Sequence, residues 1–204
     1  FYLIINILLL WDYQCMFALE AWKKANGKNL ERWVEIAGSF EMLSSLANIS
    51  FEHEDWAIPV ITNNKVVEGI RVGHPLLPEN RIANDFSINS QGRILLITGS
   101  NMSGKSTFLR TSGVNLVLVY SGAPVCAESF SCSIMDIYTC MRIGDNLEKS
   151  ISSFYAEILR IKMIVQAVKE KKPVFFLLDE IFKGTNSFDR HMGAKYLINM
   201  LRKE

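Results

Sequence analysis

The sequence has few of the residues that hold small or metal-bound domains together. Four cysteines are spread over 204 residues, too few for a disulfide scaffold and without the spacing of zinc ligands. These residues, expected to be free thiols in a reducing cytosol, are Cys15, Cys126, Cys132 and Cys140. The three histidines stand apart from any cysteine or acidic pair, so we expect no metal site built from protein ligands alone.

An excess of charge of either sign is also missing. Lysine and arginine number 22 against 21 acidic residues, which gives a formal net charge of +1. The chain therefore has no overall electrostatic footprint for nucleic acid. Any DNA contact must be local or lie on a part of the protein outside this chain.

No apolar run is long enough to cross a bilayer. The opening run FYLIINILLLW has eleven residues before Asp12, short of the roughly 20 that a spanning helix needs. It lacks the basic region and cleavage site of a signal peptide. Its interpretations are a buried or lever-like helix, or the remnant of a membrane segment upstream of Phe1. We expect a cytoplasmic fragment of a longer protein, since the chain has no initiator Met and stops within a predicted helix.

What is present is typical of a globular chain, with 49% hydrophobic and 21% charged residues. Apolar periodicity predicts one helix over 1–25 and a second over 30–47, the second with one face buried. Punctuated composition places a domain boundary near residue 57, which separates a helical segment, 1–57, from a domain over 58–204. Short apolar runs then predict strands, at 60–61, 65–72 and 85–88.

The strongest motif is the loop TGSNMSGKST at 98–107. Its Gly99, Gly104, Lys105 and Ser106 have the spacing of the phosphate loop of nucleotide hydrolases. The apolar run at 93–97 predicts a buried strand before it, and a helix follows over 106–120. Backbone amides and the helix dipole would converge on anionic oxygen. We therefore expect ATP here, with Lys105 on the β- and γ-phosphates and the Ser106 hydroxyl on Mg²⁺.

Further along the chain, strands and helices alternate. Strands are predicted at 123–127, 133–142 and 174–178, and a helix over about 152–170. This alternation indicates a mostly parallel sheet with helices on both faces.

Two adjacent acids follow the last predicted strand. Asp179 would hold Mg²⁺ through its water shell, and Glu180 would orient and deprotonate the attacking water. The pair could instead merely cap the strand, although its coincidence with the phosphate loop favours hydrolysis. The polar loop at 184–189 could address a second nucleotide site, or could cap the next helix through Ser187 or Asn186.

Five segments form a pattern along the second part of the chain, namely GHPLL at 73–77, IANDF at 82–86, TGSNMSGKST at 98–107, SSFYAE at 152–157 and LLDEIFKGTNSFD at 177–189. Together they resemble the ATPase domain of the MutS family of DNA mismatch-repair proteins. The resemblance covers about 58–204, and the helices at 1–50 resemble the family's core and lever helices.

The resemblance implies a P-loop NTPase fold of the ABC-ATPase-like type, preceded by a helical segment, that works as a dimer with composite sites. Ser152, with Ser153 second, would reach the nucleotide of a second copy, as would Asn186. Asn101 would face the γ-phosphate and act with Lys105 and Glu180 in catalysis. The ATP-binding residues implied are Arg81, Ile82, Gly99, Ser100, Asn101, Met102, Ser103, Gly104, Lys105, Ser106 and Thr107.

The chain also departs from the family pattern. Ser100 replaces a usual proline, and Ser103 replaces a usual glycine, which would strain the loop if that position needs a positive φ. Arg81 stands where many members place an aromatic against adenine, so a guanidinium or Ile82 would contact the base. A divergent member is therefore expected, an ATPase coupled to DNA binding. The alternative is a nucleotide-gated switch with a membrane or protein partner and no mismatch recognition.

Overall fold

The computed structural model describes residues 7–64, 66–89, 94–100, 102–141 and 153–202. Contacts divide the chain into two units, Phe1–Ile49 and Ser50–Glu204. The boundary expected from composition, near residue 57, lies inside the second of these units.

The first unit is helical. Helix α1 spans Trp11–Asn26, a 3₁₀ turn follows at Gly27–Asn29, and α2 spans Leu30–Glu52, its last turn belonging to the second unit. The prediction of one helix over 1–25 is wrong at Leu10, which adopts a left-handed conformation with φ 49° and separates α1 from helical residues 7–9. Across the described ranges, no helix combines the length and apolar character required to cross a membrane.

In the first unit, most of the described apolar side chains are exposed. Helix α2 starts at residue 30 as predicted, but none of its residues is buried, contrary to the buried face expected for it. Phe40, for example, is 74% exposed. Trp22 of α1 and Trp33 of α2 contact each other with ring centroids 6.3 Å apart. Two helices have too little surface to cover apolar residues that lie all around them.

The second unit contains a four-stranded mixed sheet. Its strands are β1 (Val60–Ile61), β2 (Val66–Val72), β3 (Asn84–Asn89) and β4 (Ser129–Cys132), in the order β1-β4-β2-β3. β1 pairs with β4 in parallel, whereas β2 pairs with β3 and β4 antiparallel. The first three strands confirm the sequence prediction. The strand predicted at 123–127 is wrong, because there Val125 makes only an isolated bridge to Ala57.

A second sheet has two parallel strands, β5 (Asp136–Cys140) and β6 (Val174–Leu178). Helices α3 (Lys105–Ser121), α4 (Ser153–Lys169) and α5 (Ser187–Leu201) complete the unit. β5, β6, α3 and α4 confirm their predicted positions, and the fold is mixed α/β. The expected mostly parallel sheet is wrong for the larger sheet, because β2 runs antiparallel to both of its neighbours.

The apolar run before the phosphate loop is not a strand over its described part, 94–97. Leu95 and Leu96 are exposed, whereas Ile94 packs on the core around α4 and α5. An apolar run becomes a strand only when a neighbouring strand satisfies its main-chain groups. Beside the run is a cavity of about 500 Å³, which strands β3 and β6 also line.

Two apolar clusters form the core of the second unit. One joins Leu116 and Val119 of α3 to both sheets, and the other joins α4, α5 and the far face of β6. Within the first cluster Asn115 is fully buried. Its amide Nδ2 donates to the carbonyl oxygens of Gly73 at 3.0 Å and Thr111 at 2.8 Å, and its Oδ1 accepts from the Cys126 N–H at 2.9 Å. Helix α3 is thereby tied to the chain on either side of it.

Candidate functional site

The predicted phosphate loop leads directly into helix α3. Gly104, with φ 88°, occupies the N-cap position in a left-handed conformation, which glycine adopts without steric cost. The next residue, Lys105, folds back over the loop. Its Nζ donates to the carbonyl oxygen of Gly99 at 2.9 Å and to that of Ser100. The Lys105 ammonium thus lies at the start of the loop, and the first amides of α3, including that of Ser106, lie at its end.

Strain in this loop falls on a different residue from the one expected. Met102 has a φ of 65° and is fully exposed, whereas Ser103 does not adopt a positive φ. The substitution of Ser103 for glycine therefore costs no left-handed backbone strain. A Cβ on Gly99 would lie 2.8 Å from Ser103 Oγ, so a side chain at Gly99 would force the serine to move.

The predicted acids follow β6 without a break. The Asp179 N–H donates to the Cys140 carbonyl oxygen at 3.0 Å, which continues the pairing of β5 and β6. Glu180 then turns the chain, with φ 49°, and its carboxylate forms an ion pair with Lys183 three residues later. Asp179 is thus held by the sheet, while Glu180 lies on the turn beyond it.

The loop and the acids belong to elements that touch. Gly113 of α3 lies so close to β6 that an added Cβ would be 2.7 Å from Leu177 Cδ1. Leu177 is two residues before Asp179, and it shares the first apolar cluster with Leu116 and Val119 of α3. The helix that begins at the phosphate loop is therefore packed on the strand that ends at the acidic pair.

The turn after β6, residues 180–185, is strained. Phe182 has a φ of 61°, so two non-glycine residues of one turn lie in the left-handed region. Such residues cost roughly 1 to 3 kcal/mol each and persist only where surrounding contacts fix them. The Phe182 carbonyl oxygen accepts from the N–H and hydroxyl of Thr185 and from Arg190 Nε, at 3.2 to 3.3 Å. These bonds fix the turn from its C-terminal side.

A buried carboxylate on α4 contacts the same turn, and sequence reasoning missed it. Glu157 is 8% exposed, and its Oε1 accepts a hydrogen bond from the Phe182 N–H. The sequence did contain a sign of this. Glu157, Ile161 and Ile164 recur at helical spacing, which puts a carboxylate on the buried face of α4. A buried carboxylate needs a hydrogen-bond donor, and the turn supplies one.

The residues predicted to face the adenine base lie on the loop before β3. The Arg81 side chain packs against Gly73, and its Nη1 donates to the Leu77 carbonyl oxygen at 3.4 Å. Ile82 is 85% exposed. The guanidinium also lies beside Cys126, where burial raises the pKa of the thiol and Arg81 partly offsets the rise. Ile82 is thus the more accessible of the two for a planar ligand.

Part of the predicted site lies outside the described residues, namely Asn101 and Ser152. Ser153 begins helix α4, and its side chain is likewise outside the described part. Asn186 occupies the N-cap of α5, where its Oδ1 accepts from the Asp189 N–H and its Nδ2 donates to Asp189 Oδ2, both at 2.8 Å. Asn186 therefore fills the helix-capping role that the sequence left open, and its role toward a second nucleotide stays a prediction.

Comparison with known proteins places this chain in a family. The family model "MutS domain V" matches residues 95–204, more than half of the chain. A DNA mismatch repair protein MutS from Persephonella marina is 33% identical over 156 residues, which cover 74% of this chain and 18% of that protein. One from Staphylococcus saprophyticus subsp. saprophyticus is 29% identical over 193 residues, covering 92% of this chain and 21% of the relative. The chain spans about a fifth of the length of these relatives.

Proposed function

Because this chain belongs to the MutS family, we propose that it is the ATP-binding and ATP-hydrolysing domain of a MutS-like DNA repair protein. The observation that carries the proposal is the direct packing of α3, which starts at the phosphate loop, on β6, which ends at Asp179 and Glu180. A P-loop NTPase of the ABC-ATPase-like type accounts for this pairing of loop and acids on neighbouring elements.

ATP phosphates would bind between the loop and the start of α3. The left-handed Gly104 presents the first amides of the helix, where the helix dipole favours negative charge. Lys105 Nζ already lies over the loop on the Gly99 and Ser100 carbonyl oxygens. Rotation about its side-chain bonds would transfer its donors to the β- and γ-phosphates. Asn101, Met102, Ser103 and Thr107 would complete the contacts, with Ile82 or Arg81 beside the base.

The residues present fit a magnesium ion that takes most of its ligands from nucleotide and water. In the described part of the chain, no three His, Cys, Asp or Glu side chains come together as metal ligands. Magnesium typically uses one or two protein ligands, several waters and substrate phosphates. Ser106 and Asp179 would hold it here. Bound in this way, Mg²⁺ neutralises charge on the phosphate oxygens.

Glu180 would orient the attacking water and accept its proton. Its carboxylate is paired with Lys183, and the two side chains are 50% and 53% exposed. Exposed ion pairs contribute little free energy, so this pair opens readily. Glu180 can therefore exchange Lys183 for a water molecule when a nucleotide binds.

Dimerisation would complete the site. Ser152, Ser153 and Asn186 are proposed to address the nucleotide of a second copy, because donors supplied in trans engage only when two subunits close. ATP turnover would then depend on the conformation of the dimer. Contact with DNA is proposed for regions outside this chain, which agrees with its net charge of +1.

The deciding experiment measures ATP binding and steady-state hydrolysis by the purified full-length protein and its Glu180→Gln variant. We expect the variant to bind ATP like wild type and to turn over about 100-fold or more slowly, because it lacks the general base. Glu170→Gln, an exposed carboxylate after α4, is the matched control and should be unchanged. Turnover at the wild-type rate by Glu180→Gln would contradict the proposal.

The same assay with homoduplex, mismatched and branched DNA tests the coupling to DNA. A change in turnover or affinity with any of these DNAs supports a repair function. If no DNA binds or alters the rate, the nucleotide-gated switch becomes the better description.

A further inference from the structure

Glu180, the residue proposed as general base, lies on a turn whose conformation is fixed by contacts with other elements of the fold. Glu180 and Phe182 both have left-handed backbone conformations without being glycine. Such a conformation is not maintained by the turn itself and relies on its surroundings. The direction of the Glu180 carboxylate thus depends on the contacts that fix residues 180–185.

Helix α5 supplies contacts on one side of this turn. Arg190 donates from Nε to the Phe182 carbonyl oxygen at 3.3 Å and from Nη2 to the Thr185 carbonyl oxygen at 3.4 Å. The Phe182 ring lies against Gly193, where an added Cβ would be 3.3 Å from the ring. These contacts engage the Phe182 and Thr185 carbonyl oxygens of the turn.

Helix α4 supplies contacts on the other side. Phe154 packs on Gly184 so closely that a Cβ there would be 2.8 Å from the Phe154 Cβ. One turn along α4, Oε1 of the buried Glu157 accepts a hydrogen bond from the Phe182 N–H. A carboxylate is a strong acceptor, and burial excludes the water that would otherwise compete for this N–H.

We propose that Glu157 is the positioning residue for Glu180. By holding the Phe182 amide, it fixes the backbone two residues beyond Glu180 and so sets the position from which the carboxylate of the base reaches the attacking water once it leaves Lys183. Glu157 does not touch the nucleotide and acts only through the turn. This inference rests on the proposed ATP hydrolysis.

The test compares Glu157→Leu, which removes the acceptor, with Glu157→Gln, whose amide oxygen can still accept the Phe182 N–H. Steady-state hydrolysis gives kcat and KM for ATP in the full-length protein, and hydrogen exchange followed by mass spectrometry reports on residues 180–185. For Glu157→Leu we expect kcat to fall about tenfold or more, with KM within about twofold of wild type. Exchange of the turn should rise about tenfold. Glu157→Gln should restore most of both, and Glu170→Leu is the matched control.

A shortened acid, Glu157→Asp, decides the matter if the leucine variant does not fold. Lower kcat and faster exchange at residues 180–185 in this variant support the role of Glu157. Wild-type kcat and exchange in Glu157→Leu, or in Glu157→Asp where the leucine variant does not fold, would overturn it, provided that Glu180→Gln is inactive. If Glu180→Gln hydrolyses ATP like wild type, the proposed function fails and the role of Glu157 fails with it.

Discussion

Asn115 shows how much one polar side chain contributes inside an apolar cluster. It is fully buried and forms three hydrogen bonds, two of them to the segments that contain Gly73 and Cys126. A buried polar group left without a partner costs about 1 to 3 kcal/mol, and removing Asn115 would leave two such groups. This residue therefore joins the loop before β3, the segment before β4 and the phosphate-loop helix.

We expect Asn115→Leu to lower the free energy of unfolding by about 2 to 4 kcal/mol, because the Gly73 carbonyl oxygen and the Cys126 N–H lose their partner. Urea denaturation followed by circular dichroism measures the change. Asn199→Leu, on the exposed face of α5, serves as the control and should stay within about 0.5 kcal/mol of wild type. A loss at Asn115 no larger than at Asn199 would show that the buried bonds contribute little.

Single residues were predictable from the sequence where a motif fixes their spacing. The positions of Gly104 and Lys105 at the start of a helix, and of Asp179 at the end of a strand, follow from local pattern. The left-handed backbone of Met102 and the hydrogen-bond partner of Glu157 could not be predicted in this way, because both depend on the folded surroundings. Phe182 is 25 residues from Glu157 in sequence, and no local rule connects the two.

At the scale of elements, Asn186 caps the N-terminus of helix α5. The amide side chain bonds Asp189 through both its oxygen and its nitrogen, and Asp189 lies in the first turn where a negative charge is favourable. The helix follows the strained turn directly. A weakened cap would therefore loosen the end of the turn that Arg190 contacts.

Asn186→Ala should lower the free energy of unfolding by about 1 kcal/mol, because the Asp189 N–H loses its acceptor. Asn186→Ser should recover most of the loss, since serine caps helices well. Thermal and urea denaturation of the two variants give the comparison. Equal stability of wild type and Asn186→Ala would exclude a capping contribution.

The sequence predicted two of the helices more accurately than two of the strands. Helices α3 and α4 were predicted within about two residues because their caps and periodicity are local. The strands predicted at 93–97 and 123–127 failed because a strand also needs a neighbour with free main-chain groups. β2 and β6 have such neighbours, whereas residues 94–97 form no strand and the run at 123–127 makes only the isolated bridge of Val125 to Ala57.

The stability of the second unit at alkaline pH depends on its three buried thiols and on the Tyr120 hydroxyl. Burial raises the pKa of the Cys132 thiol, and it is also the largest cause of the raised pKa values of Cys126, Cys140 and Tyr120. The Tyr120 hydroxyl donates to the Ser133 carbonyl oxygen at 2.9 Å, a bond that deprotonation would remove. The folded state thus holds these protons more tightly than the unfolded chain.

A group whose pKa is raised on folding contributes stability below its unfolded pKa and loses it as pH rises toward the folded pKa. We therefore expect the free energy of unfolding to fall as pH rises through about 8.5, the ordinary pKa of cysteine in an unfolded chain. Urea denaturation between pH 7 and pH 9.5 measures this. Cys132→Ala should make the decline shallower, whereas Cys15→Ala should not. Constant or rising stability over this interval would contradict the expectation.

The contrast between Cys15 and the three buried thiols gives the unaltered chain a use in spectroscopy. Cys15 is exposed on α1, while Cys126, Cys132 and Cys140 are buried. A maleimide dye would therefore label this chain at a single point in the helical unit without any substitution. Energy transfer to that dye from a fluorescent nucleotide would then test the proposed nucleotide binding at the phosphate loop.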